Sequence, residues 1–224
     1  MGVTIIFGAT GGIGSALAHS LAATGRRLHL VARDPEKLAT LAVELGASWA
    51  SCDVSAPSQI GPALAQVAEP VDGLAYAVGT INLKPLARLA TDEMLAAYRV
   101  NALGAALAIQ AALPRLKESG QASVLLFSSV AVAQGFPNHA AISMAKGAIG
   151  HLVHHFRAIV SLPTRMDLWE QCQTVMLNED KPAEEEASAR GEVLGEQDLP
   201  SAKFYQANKS AMDEGAIISW PGVR

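Results

Sequence analysis

Near the N-terminus the chain reads Val3-Thr4-Ile5-Ile6-Phe7-Gly8-Ala9-Thr10-Gly11-Gly12-Ile13-Gly14. The first five residues are apolar and β-branched or aromatic apart from Thr4, and they stop at a glycine. Such a run predicts a strand buried on both faces of a parallel sheet. From Ile13 to Ala23 alanine and leucine dominate and Gly25 follows, which predicts a helix with a glycine stop. Between strand and helix lies a glycine-rich turn. A diphosphate needs backbone N–H groups aimed at it and no Cβ in its way; glycine supplies both, and a helix N-terminus adds partial positive charge. Strand, glycine turn and helix in that order outrank the competing reading, an ordinary tight turn.

The same alternation continues outward. Leu28–Val31 is a second strand, and Asp34-Pro35-Glu36 starts a helix, with Asp34 as N-cap and Pro35 in the first turn, running to Leu45 with Gly46 behind it. Ser48–Cys52 is a third strand, Ser58–Ala68 a helix, and Val71–Val78 contains a fourth strand. Thr91-Asp92-Glu93 caps a long helix expected to reach Lys117, with Pro114 a kink or break near its end. Ser123–Ser128 is the fifth strand and Ala140–Val160 a further long helix. Strands alternating with helices through short links predict an α/β, Rossmann-like, doubly wound parallel sheet. One domain is expected over residues 1–224, with 163–224 a divergent substrate-covering segment. There the charges around Glu184-Glu185-Glu186 interrupt the apolar rhythm, and no strand is expected before Ala216–Trp220.

Composition narrows the function classes. The 224 residues are 50% hydrophobic, enough for a packed core, and carry a formal net charge of -4 without a basic stripe, so no nucleic-acid partner is expected. Cys52 and Cys172 are the only cysteines, so neither a disulfide framework nor a zinc spacing is present. Val3–Phe7 is too short for a signal sequence and no apolar run approaches the ~20 residues of a membrane span. A cytoplasmic protein without a membrane partner is expected. His151, His154 and His155 share a helix at i, i+3/i+4 spacing but lack a third ligand, so a polar or subunit-facing surface is favoured over a metal.

The spacing Gly8-x-x-x-Gly12-x-Gly14, with Asp53-Val54 after strand three, Ala77-Val78-Gly79 after strand four, Asn101, Ser129 and Lys146 in that order, resembles the short-chain dehydrogenase/reductase family of the classical kind, over about residues 3–160. The resemblance implies an NAD(P)-dependent oxidoreductase acting on a small-molecule carbonyl or secondary alcohol. Gly8, Thr10, Gly11, Gly12, Ile13 and Gly14 would then seat the diphosphate, Asp53 and Val54 the adenine, and Gly79 would match the turn after strand four. Lys146 would hold the ribose, Ser129 the substrate oxygen and Asn101 a relay water. A homo-oligomer, dimer or tetramer, is implied too, since the long helix after Ser129 packs between subunits in that family.

Two positions need separate reading. NAD enzymes usually place an acid at the end of strand two for the ribose 2′-hydroxyl. Here Ala32-Arg33 stands there, and a guanidinium can fork onto a 2′-phosphate, which favours NADP over NAD. The competing reading pairs Arg33 with Asp34 or Glu36. The second position is the family's catalytic tyrosine. Four residues before Lys146, and thirteen after Ser129, the chain has Ile142. Isoleucine donates no proton, and losing a general acid costs about 10²–10⁴ in rate. His139, three residues earlier, is the leading substitute, against a bland role as a loop histidine; Ser129 or Lys146 through water, and Tyr98, are further candidates. The alternative is a catalytically impaired NAD(P)-binding protein that senses or scaffolds. After the long helix, Pro163-Thr164-Arg165-Met166 lacks the family's Pro-Gly turn, and Trp220-Pro221-Gly222 is not its usual ending.

Overall fold

The computed structural model describes residues 2–119, 122–159 and 165–169, with side chains described as far as Val153 in the last helix. Strands β1 (Val3–Phe7), β2 (Arg27–Ala32), β3 (Ser48–Ser51), β4 (Val71–Tyr76), β5 (Ser123–Phe127) and β6 (Arg165–Trp169) form one sheet in the order β3-β2-β1-β4-β5-β6. Every pairing is parallel. The helices are α1 (Gly12–Ala23), α2 (Pro35–Leu45), α3 (Pro57–Ala65), α4 (Thr91–Tyr98), α5 (Gly104–Glu118) and α6 (Ala140–Ile159). The doubly wound parallel sheet is the expected architecture. The order reverses beside β1, and ligands of such sheets bind outside the carboxyl ends of the strands at that switch point.

Side-chain alternation along the strands builds a core on each face. Ile6, Leu30, Ala32 and Ala75 meet Ala18 of α1 and Leu38, Leu41 and Ala42 of α2. On the other face Ile5, Phe7, Leu74, Tyr76 and Leu126 meet Ile60 of α3, Ile109 and Leu116 of α5 and Ile149 of α6. The α2 boundaries follow their signals: the Asp34 carboxylate accepts from the N–H groups of Glu36 and Lys37, and Gly46 closes the helix at φ 60.

The structure corrects four expectations. The helix from Thr91 is interrupted by a π-turn, Arg99–Leu103, in which the Gly104 N–H reaches back to the Arg99 carbonyl. Its N-cap is Ala90 rather than Thr91, and the Glu93 carboxylate accepts the Ala90 N–H at 2.9 Å. Pro114 lies inside α5, which continues to Glu118, so the proline ends nothing there. A sixth strand pairs with β5 at Arg165–Trp169, where none was expected. The expectations for the acidic run at Glu184, for Ala216–Trp220 and for Cys172 lie outside the described residues. No helix among the described residues is long and apolar enough to cross a membrane.

Candidate dinucleotide and reaction site

The glycine turn is shaped by close backbone approach. Gly8 has φ +80, and a Cβ there would stand 2.8 Å from the Ala77 carbonyl oxygen. A Cβ on Gly14 would overlap the Gly8 carbonyl oxygen, so α1 packs against the turn only without a side chain. Gly12 differs, since a Cβ there would meet nothing within 4 Å. The N–H groups of Gly8 and Ala9 donate to the Val31 carbonyl and that of Gly11 to the Gly8 carbonyl. The first α1 amide bonded backward is Ser15, to the Gly11 carbonyl at 2.8 Å. The Gly12, Ile13 and Gly14 amides therefore have no acceptor among the described residues and face the turn with the helix dipole behind them.

A cleft of about 620 Å³ runs from this turn across the ends of β1, β2 and β4. Gly8, Thr10, Gly11, Arg33, Asp53 and Gly79 are among the residues that line it. Arg33 is exposed there and makes no ion pair among the described residues; Asp34 pairs instead with Lys37 at 3.6 Å. The competing reading of Arg33 as the partner of Asp34 or Glu36 is not what the structure has. Lys37 also lines the cleft, and sequence reading overlooked it; its signal is a second cation in the first turn of the helix that Arg33 precedes. The Asp53 carboxylate accepts the Ser55 N–H at 2.9 Å, which with the nearby Arg33 charge holds its pKa below the usual value. Val54 is buried in the core beneath the cleft floor.

At the far end of the cleft Gly79 and Thr80 meet Asn101, which is completely buried. The Asn101 Oδ1 accepts the Thr80 N–H at 3.2 Å, and Nδ2 donates to the Thr80 carbonyl at 2.9 Å and to the Ala97 carbonyl at 2.9 Å. Asn101 thus clamps the segment after β4 onto the π-turn. Tyr76 adds a second tie by donating to the Val100 carbonyl at 2.6 Å. Thr80 is the other residue that sequence reading missed, because threonine in a loop carries no signal of its own.

Lys146 reaches the same place from α6. It is 4% exposed, and its Nζ donates to the Phe127 carbonyl at the end of β5 at 2.8 Å. A Cβ on Gly79 would lie 3.7 Å from that Nζ and 3.1 Å from Asn101 Oδ1, so Gly79, Asn101 and Lys146 meet at one point. Burial pushes the Lys146 amine down to about 8. Ser129 follows β5 and starts the short turn Val130–Val132, its Oγ accepting the Ala131 N–H at 3.2 Å. Ser143 in the first turns of α6 holds that turn through the Ala131 carbonyl at 2.8 Å.

Ile142 is buried, one helical turn before Lys146. His139 lies in the loop before α6 with Nδ1 bonded to the Pro137 carbonyl at 2.7 Å, the arrangement of a loop histidine held by its own backbone. Tyr98 is 46% exposed on α4, not part of the core as an aromatic there is usually expected to be. His151 is exposed on α6, and the side chains of His154 and His155 lie outside the description. The described residues contain no group of three metal-ligating side chains.

Comparison with known proteins places this geometry. The profile of the short chain dehydrogenase family matches residues 2–161. A 3-oxoacyl-[acyl-carrier-protein] reductase of Mus musculus is 30% identical over 152 residues, covering 66% of this chain and 64% of the mouse protein. An uncharacterized oxidoreductase of Mycobacterium tuberculosis is 28% identical over 165 residues, covering 69% of this chain and 65% of the relative. The chain thus spans slightly less than two thirds of the length of these curated relatives. Among solved structures, an alcohol dehydrogenase from Thermococcus sibiricus complexed with 5-hydroxy-NADP superposes with a TM-score of 0.70 at 29% identity, over 74% of each chain. Serine dehydrogenase from Escherichia coli has the same fold at a TM-score of 0.70 and 20% identity. With most of its length matched by the family profile, the chain belongs to the short chain dehydrogenase family.

Proposed function

We propose that the protein is an NADP(H)-dependent oxidoreductase that reduces a small carbonyl compound or oxidises the corresponding secondary alcohol. One observation carries the reading: the amides of Gly12, Ile13 and Gly14, which find no acceptor among the described residues, follow directly on Thr10 and Gly11, and these two line one cleft together with Arg33, which makes no ion pair among the described residues. A pyrophosphate fits the amides and the empty space above Gly12, and a 2′-phosphate fits Arg33, with Lys37 beside it. NAD, with no phosphate for that guanidinium, is the weaker fit. Asp53 and Val54 border the adenine position, and Gly79 lets the backbone approach the ribose that Lys146 would hold.

Reduced nicotinamide supplies hydride when bound. Ser129 holds the substrate oxygen through its hydroxyl hydrogen, since its Oγ lone pair already takes the Ala131 N–H. Asn101 acts by fixing Thr80 and the π-turn rather than by touching substrate. Assembly as a homo-oligomer belongs to the same reading, with Leu95, Tyr98, Leu103 and Met144 exposed on and beside α4, α5 and α6, as does a cytoplasmic location.

The test is a pair of measurements on the purified protein. Calorimetry with NADPH and NADH is expected to show binding with NADPH preferred, and a panel of aldehydes and ketones is expected to draw NADPH oxidation that Lys146→Ala abolishes. Binding without turnover across the panel would leave a dinucleotide sensor or scaffold instead. In that case Ile142→Tyr gains reductase activity only if the rest of the pocket is shaped for chemistry.

A further inference from the structure

On that reading a proton must reach the carbonyl oxygen, and Ile142 has none to give. We propose that Lys146 is the proton donor to the substrate, taking over the step that the family's tyrosine performs. Three placements argue for it. Ile142 and Lys146 are four apart on α6 and so share a face. Helical side chains lean toward the N-terminus, which carries the Lys146 stem back over the turn of Ile142. An ammonium has three N–H donors, and the structure spends one on the Phe127 carbonyl, leaving two for a ribose hydroxyl and a substrate oxygen. The amine stands where Gly79, Asn101 and the end of β5 converge, at the carboxyl edge of the sheet.

The other candidates fit less well. His139 lies in the loop before α6 with its Nδ1 on the Pro137 carbonyl, and a serine hydroxyl such as that of Ser129 is too weak an acid to give up its proton unaided. Tyr98 sits exposed on α4. Burial lowers the Lys146 amine to about 8, with no charged group among the described residues contributing, which brings it toward the range where a general acid works best. In the step the carbonyl carbon receives hydride from the reduced nicotinamide, one Lys146 N–H bond breaks, and an O–H bond forms on the former carbonyl oxygen. The alcohol leaves, and the neutral amine regains its proton from water.

The test joins a spectroscopic titration to kinetics. In protein labelled with ¹³C-lysine, the Lys146 resonance, identified by its loss in Lys146→Arg, is followed from pH 6 to 10. NADPH binding is read by fluorescence, and single-turnover NADPH oxidation is read with the carbonyl panel headed by 2,3-butanedione. Lys146→Arg keeps a cation and donors yet does not release a proton at these pH values. At saturating NADPH it is expected to lose at least about 100-fold in single-turnover rate. The parent rate is expected to fall about tenfold per pH unit above the titration midpoint of Lys146, as for any acid that must be protonated to act. Turnover by Lys146→Arg within about tenfold of the parent, or a rate whose pH break departs from the lysine midpoint, overturns the assignment while leaving the oxidoreductase reading intact. NADPH binding with no turnover by the parent overturns both.

Discussion

Gly14 and Gly8 touch backbone to backbone: the space a Cβ would take on Gly14 is already filled by the Gly8 carbonyl oxygen. Two residues before Gly14, Gly12 opens onto empty space. The two glycines therefore serve different ends, and alanine separates them. Gly14→Ala is expected to lose about 3 kcal/mol or more of stability, because the first helix must move off the sheet. Gly12→Ala is expected to fold within about 1 kcal/mol of the parent, alanine being the better helix former. On the proposed reading it loses about tenfold or more in NADPH affinity, since its methyl group stands where a phosphate would. Urea midpoints and calorimetric titration of the two variants read both outcomes.

Asn101 spends its whole side chain on Thr80 and Ala97. Asn101→Ala removes the bonds that hold the Thr80 N–H and carbonyl and the buried bond to the Ala97 carbonyl, and it opens a small void. The expected loss is about 2–3 kcal/mol, seen as a fall in Tm of about 5–10 °C for a protein of this size. Asn101→Asp keeps only the acceptor half of the clamp and is expected to be no better.

The Arg33 guanidinium has no carboxylate partner among the described residues. Arg33→Ala is therefore expected to leave stability unchanged within about 0.5 kcal/mol. It should weaken NADPH binding by about 10- to 50-fold, the worth of a charge-assisted hydrogen bond, and leave NADH binding nearly as it was. Equal losses for both cofactors would remove the case for a 2′-phosphate.

His29 is 1% exposed in β2, its Nε2 donating to the Ala63 carbonyl at 3.2 Å and its Nδ1 bonded to the Ser48 hydroxyl at 2.9 Å. Burial, partly offset by the Ala63 carbonyl, lowers its pKa below 6.5 in the fold. Below 6.5 the unfolded chain takes up a proton that the folded chain refuses. Stability from this residue is full above pH 6.5 and is lost as pH falls from there toward the folded pKa. Urea denaturation at pH 7.5 and 5.5 should show the parent losing more on acidification than His29→Gln, which is weaker at the higher pH but titrates nothing.

Lys146 is an expensive residue for the fold without ligand, since its amine is held well below its ordinary ionisation by burial. Lys146→Met, similar in length and apolar, is expected to raise the stability of the ligand-free protein by about 1–2 kcal/mol while ending turnover. Below pH 8 the gain is largest, because there the folded parent carries the buried charge; above about 10.5 it vanishes, because the lysine is neutral in both states. Thermal unfolding at pH 7 and 10.5 checks the sign.

Much of this was readable from residues alone, for physical reasons. The first strand, the glycine turn and the helix after it are each short-range signals, and Asp34-Pro35 with Gly46 brackets α2 by local capping chemistry. The π-turn was not legible: Arg99-Val-Asn-Ala-Leu103 has ordinary helical residues, and its extra residue is set by what Asn101 and Tyr76 must reach. The strand Arg165–Trp169 carries an arginine and an aspartate in five residues, so it lacks the apolar run that reveals the central strands. Pro114 misled because the helix gives up one backbone bond there and stays packed through Ala112 and Leu116. At the candidate site, spacing identified Lys146, Ser129 and Asn101 but not what their atoms do. The commitment of Asn101 to Thr80 and of His139 to Pro137 depends on loop paths that no spacing encodes.

The Thr80 amide, held by Asn101 where the segment after β4 lines the cleft, is a single resonance beside that space. Its chemical shift responds to whatever fills the cleft. In a ¹⁵N spectrum it would serve as a built-in gauge, and a small-molecule library could be screened against it before any reaction is known.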